Sequence, residues 1–272
     1  MSSTKDVSEI GEQIVLPHTS EIDINQSNVI ESKAIHISLK PDVIAHIGPL
    51  PITNTFFAST IVLIIFTGIA IWFKNNFKKN NPLSLLARYI LKSVWSTFEP
   101  ITKEKTDKYI VFLLSLFFFI IMNNWFGLLP FVGSLTLKGE HGAFPLLKGS
   151  TADLNTTLAL SLTAVIYIQY QSLMALGVSG YIQRFINISN PMNFFIGILE
   201  IMEEFSKILS FAFRLFGNIF AGEVMLAVIA FLVPVLASFP FLVLEIFVGY
   251  VQALVFSMLV SVFLVSATAK HH

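Results

Sequence analysis

Long apolar runs alternate with short polar stretches along most of this chain. Residues 56–73 hold 18 consecutive uncharged positions, enough for one membrane crossing, and predict a span over about 55–74. Residues 109–137 are again uncharged and predict a second span over about 109–133. A polar loop over 138–153 precedes a third span, about 154–177, which Gly177, Gly180 and Arg184 close with a short turn. Asn190-Pro191 is a good helix start, with a capping residue followed by proline in the first turn. Nothing then breaks the pattern before Pro234, so residues 190–233 read as one helix of about 64 Å, twice the thickness of a bilayer core. Such a helix must tilt strongly, or kink near Gly217 or Gly222. Pro234 and Pro240 bound a turn, and 241–269 forms a further helix of about 44 Å ending beside Lys270. The predicted fold class is all-α, a polytopic membrane protein with about five membrane-crossing helices.

The polar margins set the orientation. Residues 1–50 carry seven acids against three lysines and lack a signal-peptide core, so they read as a polar acidic N-terminal tail, and 51–272 as the membrane domain. Insertion is then expected to rely on the first span itself. Pro49 and Pro51 hold the approach to that span extended. Over 74–108, Lys74, Lys78, Lys79, Arg88, Lys92, Lys103, Lys105 and Lys108 outnumber Glu99, Glu104 and Asp107, which marks the cytoplasmic side. The N-terminal tail is therefore expected outside and the C-terminus inside. Leu83, Leu86, Ile90, Val94 and Phe98 recur at helical spacing opposite Arg88 and Lys92, predicting an amphipathic helix in the cytoplasmic interface.

Composition agrees with this class, with 54% hydrophobic residues, 12% charged residues and 27 phenylalanines. Zero net charge says nothing about partners, because the charges are segregated; nothing points to nucleic acid. Absence of cysteine excludes disulfides and thiolate metal sites. The histidines at 18, 36, 46, 141, 271 and 272 all lie outside the apolar runs, which argues against a buried His-metal centre. No HExxH or GxSxG pattern is present, so a membrane-embedded enzyme lacks its chemistry and no cofactor is expected.

One stretch breaks the apolar rule. Between 200 and 223 lie six ionisable side chains, Glu200, Glu203, Glu204, Lys207, Arg214 and Glu223, in what otherwise reads as membrane helix. Intramembrane charges are costly and face protein or water. Arg214 stays protonated at any physiological pH, so it is a fixed positive charge. At 100° per residue, Glu200, Glu203, Glu204, Lys207, Arg214 and Asn218 share a stripe about 100° wide, with Glu223 on another face. The acids and Lys207 can pair at i+3 or i+4, whereas no acid stands four residues either side of Arg214. On the last helix Glu245, Gly249 and Gln252 share one face.

The run from Ser210 through Arg214, Leu215 and Asn218 to Ile219, followed by Ala221-Gly222-Glu223, resembles the signature of subunit a of F-type ATP synthases. Asn123-Asn124-Trp125-Phe126-Gly127 through Pro130, the segment from Ala152-Asp153 to Thr157, and the residues from Ile47 to Asn54 resemble secondary motifs of that family. For Asn123 and Asn124 hydrogen bonding between helices is a sufficient role, and for Asp153 an N-cap is. The resemblance implies that 190–233 and 241–269 form a long tilted C-terminal helix hairpin. It also implies a non-catalytic, proton-translocating stator subunit with two offset half-channels, separated by the arginine and leading to carboxylates of a rotating c-ring. Glu223, Glu245, Asn218 and Gln252 would line the outer path, and Glu200, Glu203, Glu204 and Lys207 the inner one. Relatives often place histidine where this chain has Glu245, so an imidazole relay does not carry over. The implied partners are the c-ring, peripheral-stalk subunit b, membrane lipid and, indirectly, the soluble F1 head. The implied location is the bacterial inner membrane rather than the mitochondrial one. A competing expectation is a self-contained secondary transporter that binds substrate at Arg214; it predicts internal repeats, and the charged cluster has no counterpart in the first half of the chain.

Overall fold

The computed structural model describes residues 43–47, 50–78, 81–129, 132, 136–139, 142–186, 191–232 and 238–269. Six α-helices carry the fold: α1 (Asn54–Asn76), α2 (Pro82–Thr102), α3 (Thr106–Gly127), α4 (Leu154–Phe185), α5 (Pro191–Leu232) and α6 (Ser238–Ala267). By length and composition five helical stretches among the described residues can cross a membrane, with α2 and α3 counted as one. Two short antiparallel hairpins accompany them, β1 (Val43–Ile47) with β2 (Leu50–Thr53), and β3 (Thr136–Gly139) with β4 (Gly142–Pro145).

The centre of the bundle is the α3–α6 pair, and the most extensive helix contact is that of α4 along α5. Tyr109, Leu113, Phe117 and Ile120 of α3 meet Phe256, Val260 and Leu264 of α6, with Ile168 of α4 and Phe211 and Leu215 of α5 closing the same core. Lipid tails are as apolar as leucine, so close backbone approach and polar cross-links must hold such helices together. Ala58, Ala164, Ser161, Ser257 and Ser261 are fully buried and supply the small surfaces. Asn124 donates from Nδ2 to the Gly249 carbonyl at 2.9 Å, and the Trp125 ring nitrogen donates to the Ile246 carbonyl at 3.1 Å, tying α3 to α6. Lys105 Nζ donates to the Thr268 carbonyl at 2.9 Å, placing a cation at the C-terminal end of α6.

Local chemistry explains the helix starts. Thr53 caps α1 by accepting from the Phe56 amide, and Pro82 opens α2. Asp153 caps α4, accepting from the Asn155 amide at 3.0 Å through Oδ1 while Oδ2 accepts from the Thr55 hydroxyl at 2.8 Å. The expected cap therefore also locks α1 to α4. Pro51 lies in extended strand β2, a conformation its fixed φ allows.

Several boundaries differ from the sequence reading. α3 ends at Gly127, short of residue 133, and the uncharged residues that follow lead to a β-hairpin instead of more helix. Helix α4 passes beyond 177 to Phe185 across a break at Gly177 (φ 75°, ψ 165°). There the chain doubles back, since the Tyr181 hydroxyl donates to Gln169 Oε1. Helix α6 begins at Ser238, with Pro240 inside its first turn, where a missing amide costs nothing. Along α5 no residue leaves helical geometry at Gly217 or Gly222, so of the two expected accommodations a kink is absent. The amphipathic helix forms as α2, but its apolar stripe is divided: Val94 and Phe98 are buried, whereas Leu83, Leu86 and Ile90 remain exposed. The acidic tail to residue 42, Asn190, Pro234 and Lys270 lie outside the described residues.

Candidate functional site

Helix α5 brings three polar groupings together along one axis. Its buried side runs through Gly197, Lys207, Phe211, Leu215, Ile219 and Gly222. The opposite flank, carrying Ser206, Ser210, Arg214, Asn218 and Ala221, is exposed. Only 17% of the most apolar window of α5 is buried within the chain, against 50% for the stretch Pro82–Gly127, so this flank has no partner among the described residues. Arg214 stands in the middle of it. Its Nη2 donates to Ser210 Oγ at 3.4 Å, and it forms no ion pair with any described acid.

Toward the N-terminal end of α5 lies an ion network. Arg184, at the end of α4, pairs with Glu200 through Nε and with Glu204 at 3.7 Å through Nη2. Lys207 bridges Glu203 at 3.0 Å and Glu204 at 2.9 Å, with its ammonium 4.7 Å from the Phe263 ring centre on α6. The Lys207 side chain is 6% exposed, so burial of its charge depends on these acids. A cavity of about 190 Å³ joins this network to the arginine, lined by Glu203, Lys207, Ser210, Arg214, Leu259 and Phe263 among others.

Toward the C-terminal end of α5 the polar groups face inward. Glu245 on α6 is 3% exposed and lies against Gly222, where a Cβ would collide with its carboxyl group. Glu223 turns to the loop before α4; a Cβ at Gly149 would stand 2.6 Å from its Oε1, and one at Gly127 would stand 3.9 Å away. Lys148 and Glu245 are the charged groups that act on it. Gln252 (9% exposed) and Gly249 lie on the same buried face of α6 as Glu245, as their spacing predicted. Glu245 Oε1 and Asn124 Oδ1 are buried without a hydrogen-bond partner, and a buried carboxylate is costly unless water or a second group completes it.

The predicted residues do not all meet in one place. Glu200, Glu203, Glu204 and Lys207 lie together on the N-terminal side of Arg214 along α5, and Glu223 and Glu245 lie together on its C-terminal side. Gln252 is buried on α6 two turns from Glu245, and Asn218 stands on the exposed flank of α5 one turn from Arg214. Arg184 and Lys148 join these groupings and were absent from the sequence-based set. No local pattern pointed to them, because each meets its acids across a loop. Among the described residues no group of three His, Cys, Asp or Glu side chains could hold a metal ion.

The family model described as ATP synthase A chain matches residues 55–265. The chain belongs to the ATP synthase subunit a family. Among its relatives, the chloroplast subunit a of Bigelowiella natans is 32% identical over 83% of this chain and 87% of its own length. Subunit a of Moorella thermoacetica is 28% identical over 86% of this chain and 99% of its own. That of the Stigeoclonium helveticum chloroplast is 36% identical over 62% of this chain, and the match spans 65% of that relative. Family membership and five apolar helices make this an integral membrane protein. The family match includes Arg214 and all of the acids described above.

Proposed function

We propose that this chain is the proton-translocating stator subunit of an ATP synthase membrane sector, offering two offset half-channels to the carboxylates of a c-ring. The observation that carries this reading is Arg214: a permanent cation on an unpartnered helix flank, with no acid of its own chain paired to it among the described residues. Such a charge asks for an acidic partner from another subunit. A carboxylate brought within about 4–6 Å of it is favoured as the anion, by one to three pKa units. The guanidinium cannot accept a proton, so it also interrupts any continuous proton wire. Each proton crossing supplies about 2.3 kcal/mol per 100 mV of membrane potential.

Glu223, Glu245 and Gln252 would line the outer cleft, with Asn218 at its rim; Glu200, Glu203, Glu204 and Lys207 would line the inner one. In this scheme the N-terminus is outside and the C-terminus cytoplasmic, in an energy-coupling membrane read from the sequence as the bacterial inner membrane. The subunit itself makes and breaks no bond; it holds protons and guides them, while the partner subunits would be the ring, the peripheral stalk and the soluble head. Helix α5, about 63 Å long at 42 residues, would cross obliquely against α6 as the long tilted hairpin, which lets one helix touch both clefts. The secondary-transporter alternative gains no support from the relatives reported above, all named ATP synthase subunit a.

Substitution of the arginine tests the reading in membrane vesicles carrying the whole complex. Arg214→Ala is expected to abolish ATP-driven proton pumping, and Arg214→Lys to fail as well, since a lysine can shed its proton when buried. Unimpaired coupled pumping by either variant would contradict the mechanism. For the outer cleft, Glu223→Gln with Glu245→Gln is expected to slow translocation strongly; wild-type rates in that double variant would remove both acids from the path.

A further inference from the structure

The three acids below Arg214 look equivalent in the sequence, but the fold treats them differently. Glu200 is held by Arg184, and Glu204 lies between Arg184 at 3.7 Å and Lys207 at 2.9 Å. Their side chains are 21% and 13% exposed. Glu203 differs in each respect. It is 58% exposed, its ion-pair partner among the described residues is Lys207 alone, and it lines the cavity that also holds Ser210 and Arg214. Neither Glu200 nor Glu204 lines that cavity. Arg184 is itself fixed from the far side, with Nη1 3.5 Å from Ser172 Oγ, whose hydroxyl donates to the Ala267 carbonyl at the end of α6. The clamp thus runs from α6 through α4 to α5.

We infer that Arg184 sorts these acids: it fixes Glu200 and Glu204 as the wall of the inner cleft and leaves Glu203 as the carboxylate that passes protons between the Arg214 cavity and bulk water. This deepens the proposed function and rests on it. When Glu203 takes up a proton its bond to Lys207 is released, and Lys207 stays neutralised by Glu204, so no buried charge is stranded. The proton leaves the Glu203 oxygen to water at the exposed end, and the Glu203–Lys207 pair re-forms. Glu200 cannot do this as cheaply, because its protonation would leave Arg184 only Glu204, at 3.7 Å and already shared with Lys207 at 2.9 Å. Arg184 is a positioning residue; it touches neither the cavity nor the arginine. The other titratable groups around this network are Tyr181, which acts with Arg184 and Glu204, and Lys207; no charged side chain of α6 lines the cavity.

The test uses the assembled complex in vesicles and measures ATP-driven pumping and passive proton conduction. Glu203→Gln is expected to slow both at least about tenfold, as loss of a proton-transfer group does. Glu200→Gln and Glu204→Gln are each expected to cost at least about fivefold less than that. Equal or greater losses at Glu200 or Glu204 would overturn the sorting. Arg184→Gln is expected to shift the pH profile of conduction, because Glu200 then loses its ion-pair partner and Glu204 keeps only Lys207, and Arg184→Lys to restore it. An unshifted profile in Arg184→Gln would reduce the arginine to a structural role and contradict the inference. If Glu203→Gln fails to assemble with the ring, Glu203→Asp decides, with a displaced pH profile expected and an unchanged one overturning the proposal. Loss of coupling in Arg214→Ala together with wild-type behaviour of Glu203→Gln would defeat the sorting alone; retained coupling in Arg214→Ala would defeat the stator reading beneath it.

Discussion

At the scale of single residues, the site is built from close approaches as much as from charges. Gly222 leaves room for the Glu245 carboxyl group, and what a methyl group there would meet is the far end of a flexible side chain. Gly222→Ala is therefore expected to leave folding stability within about 1 kcal/mol of wild type while displacing Glu245 and slowing proton conduction severalfold. Thermal unfolding of the purified complex, measured beside conduction, checks both halves, and a large loss of stability would contradict the geometry. Arg214, Glu223, Glu245 and Gln252 were visible in the sequence because a charge or amide in an apolar run stands out whatever surrounds it. Their neighbours were not. Arg184 meets Glu200 after the chain has doubled back at Gly177, and Lys148 acts on Glu223 from the loop before α4. Residue spacing carries no record of contacts made across a turn.

At the scale of elements, uncharged apolar runs pointed to the long helices, yet their ends were set by features that hydropathy does not weigh. Proline in a first turn is compatible with helix, so α6 starts before Pro240. A lack of charge over 109–137 did not extend α3, which ends at Gly127, where the backbone lies close to Gly149. Gly177 ends the first part of α4 because its φ of 75° is one that side-chain-bearing residues avoid. Nothing else lies within 4 Å of a Cβ there, so Gly177→Ala is expected to cost about 1–2 kcal/mol through backbone strain alone. Gly197 is a different case. A methyl group would strike the backbone carbonyl of Phe185, which cannot swing aside, so Gly197→Ala is expected to cost more than Gly177→Ala, about 2–3 kcal/mol, and to loosen the Arg184–Glu200 pair. Assembly yield and thermal stability of the two variants check the order; a greater loss at Gly177 than at Gly197 would contradict it.

At the scale of the molecule, the fold leaves long apolar surfaces uncovered, and they are not all alike. Lipid suffices for a flank such as that of α1, where Ile64, Ile69 and Ile71 are exposed without any charge among them. It does not suffice for the flank of α5, where Arg214 and Asn218 would face hydrocarbon. That contrast supports the proposal that the arginine flank faces a carboxylate-bearing ring. The absence of native cysteine allows single cysteines to probe it directly. The decisive measurement is oxidative cross-linking in membranes from Gly217→Cys and Ala221→Cys, both on the exposed flank, against a cysteine placed beside the ring carboxylate, with buried Leu215→Cys as the comparison. Efficient cross-links are expected from positions 217 and 221 and none from 215; a ring that cross-links to neither flank position, in a complex that still pumps protons, would rule out the arginine flank as the ring interface.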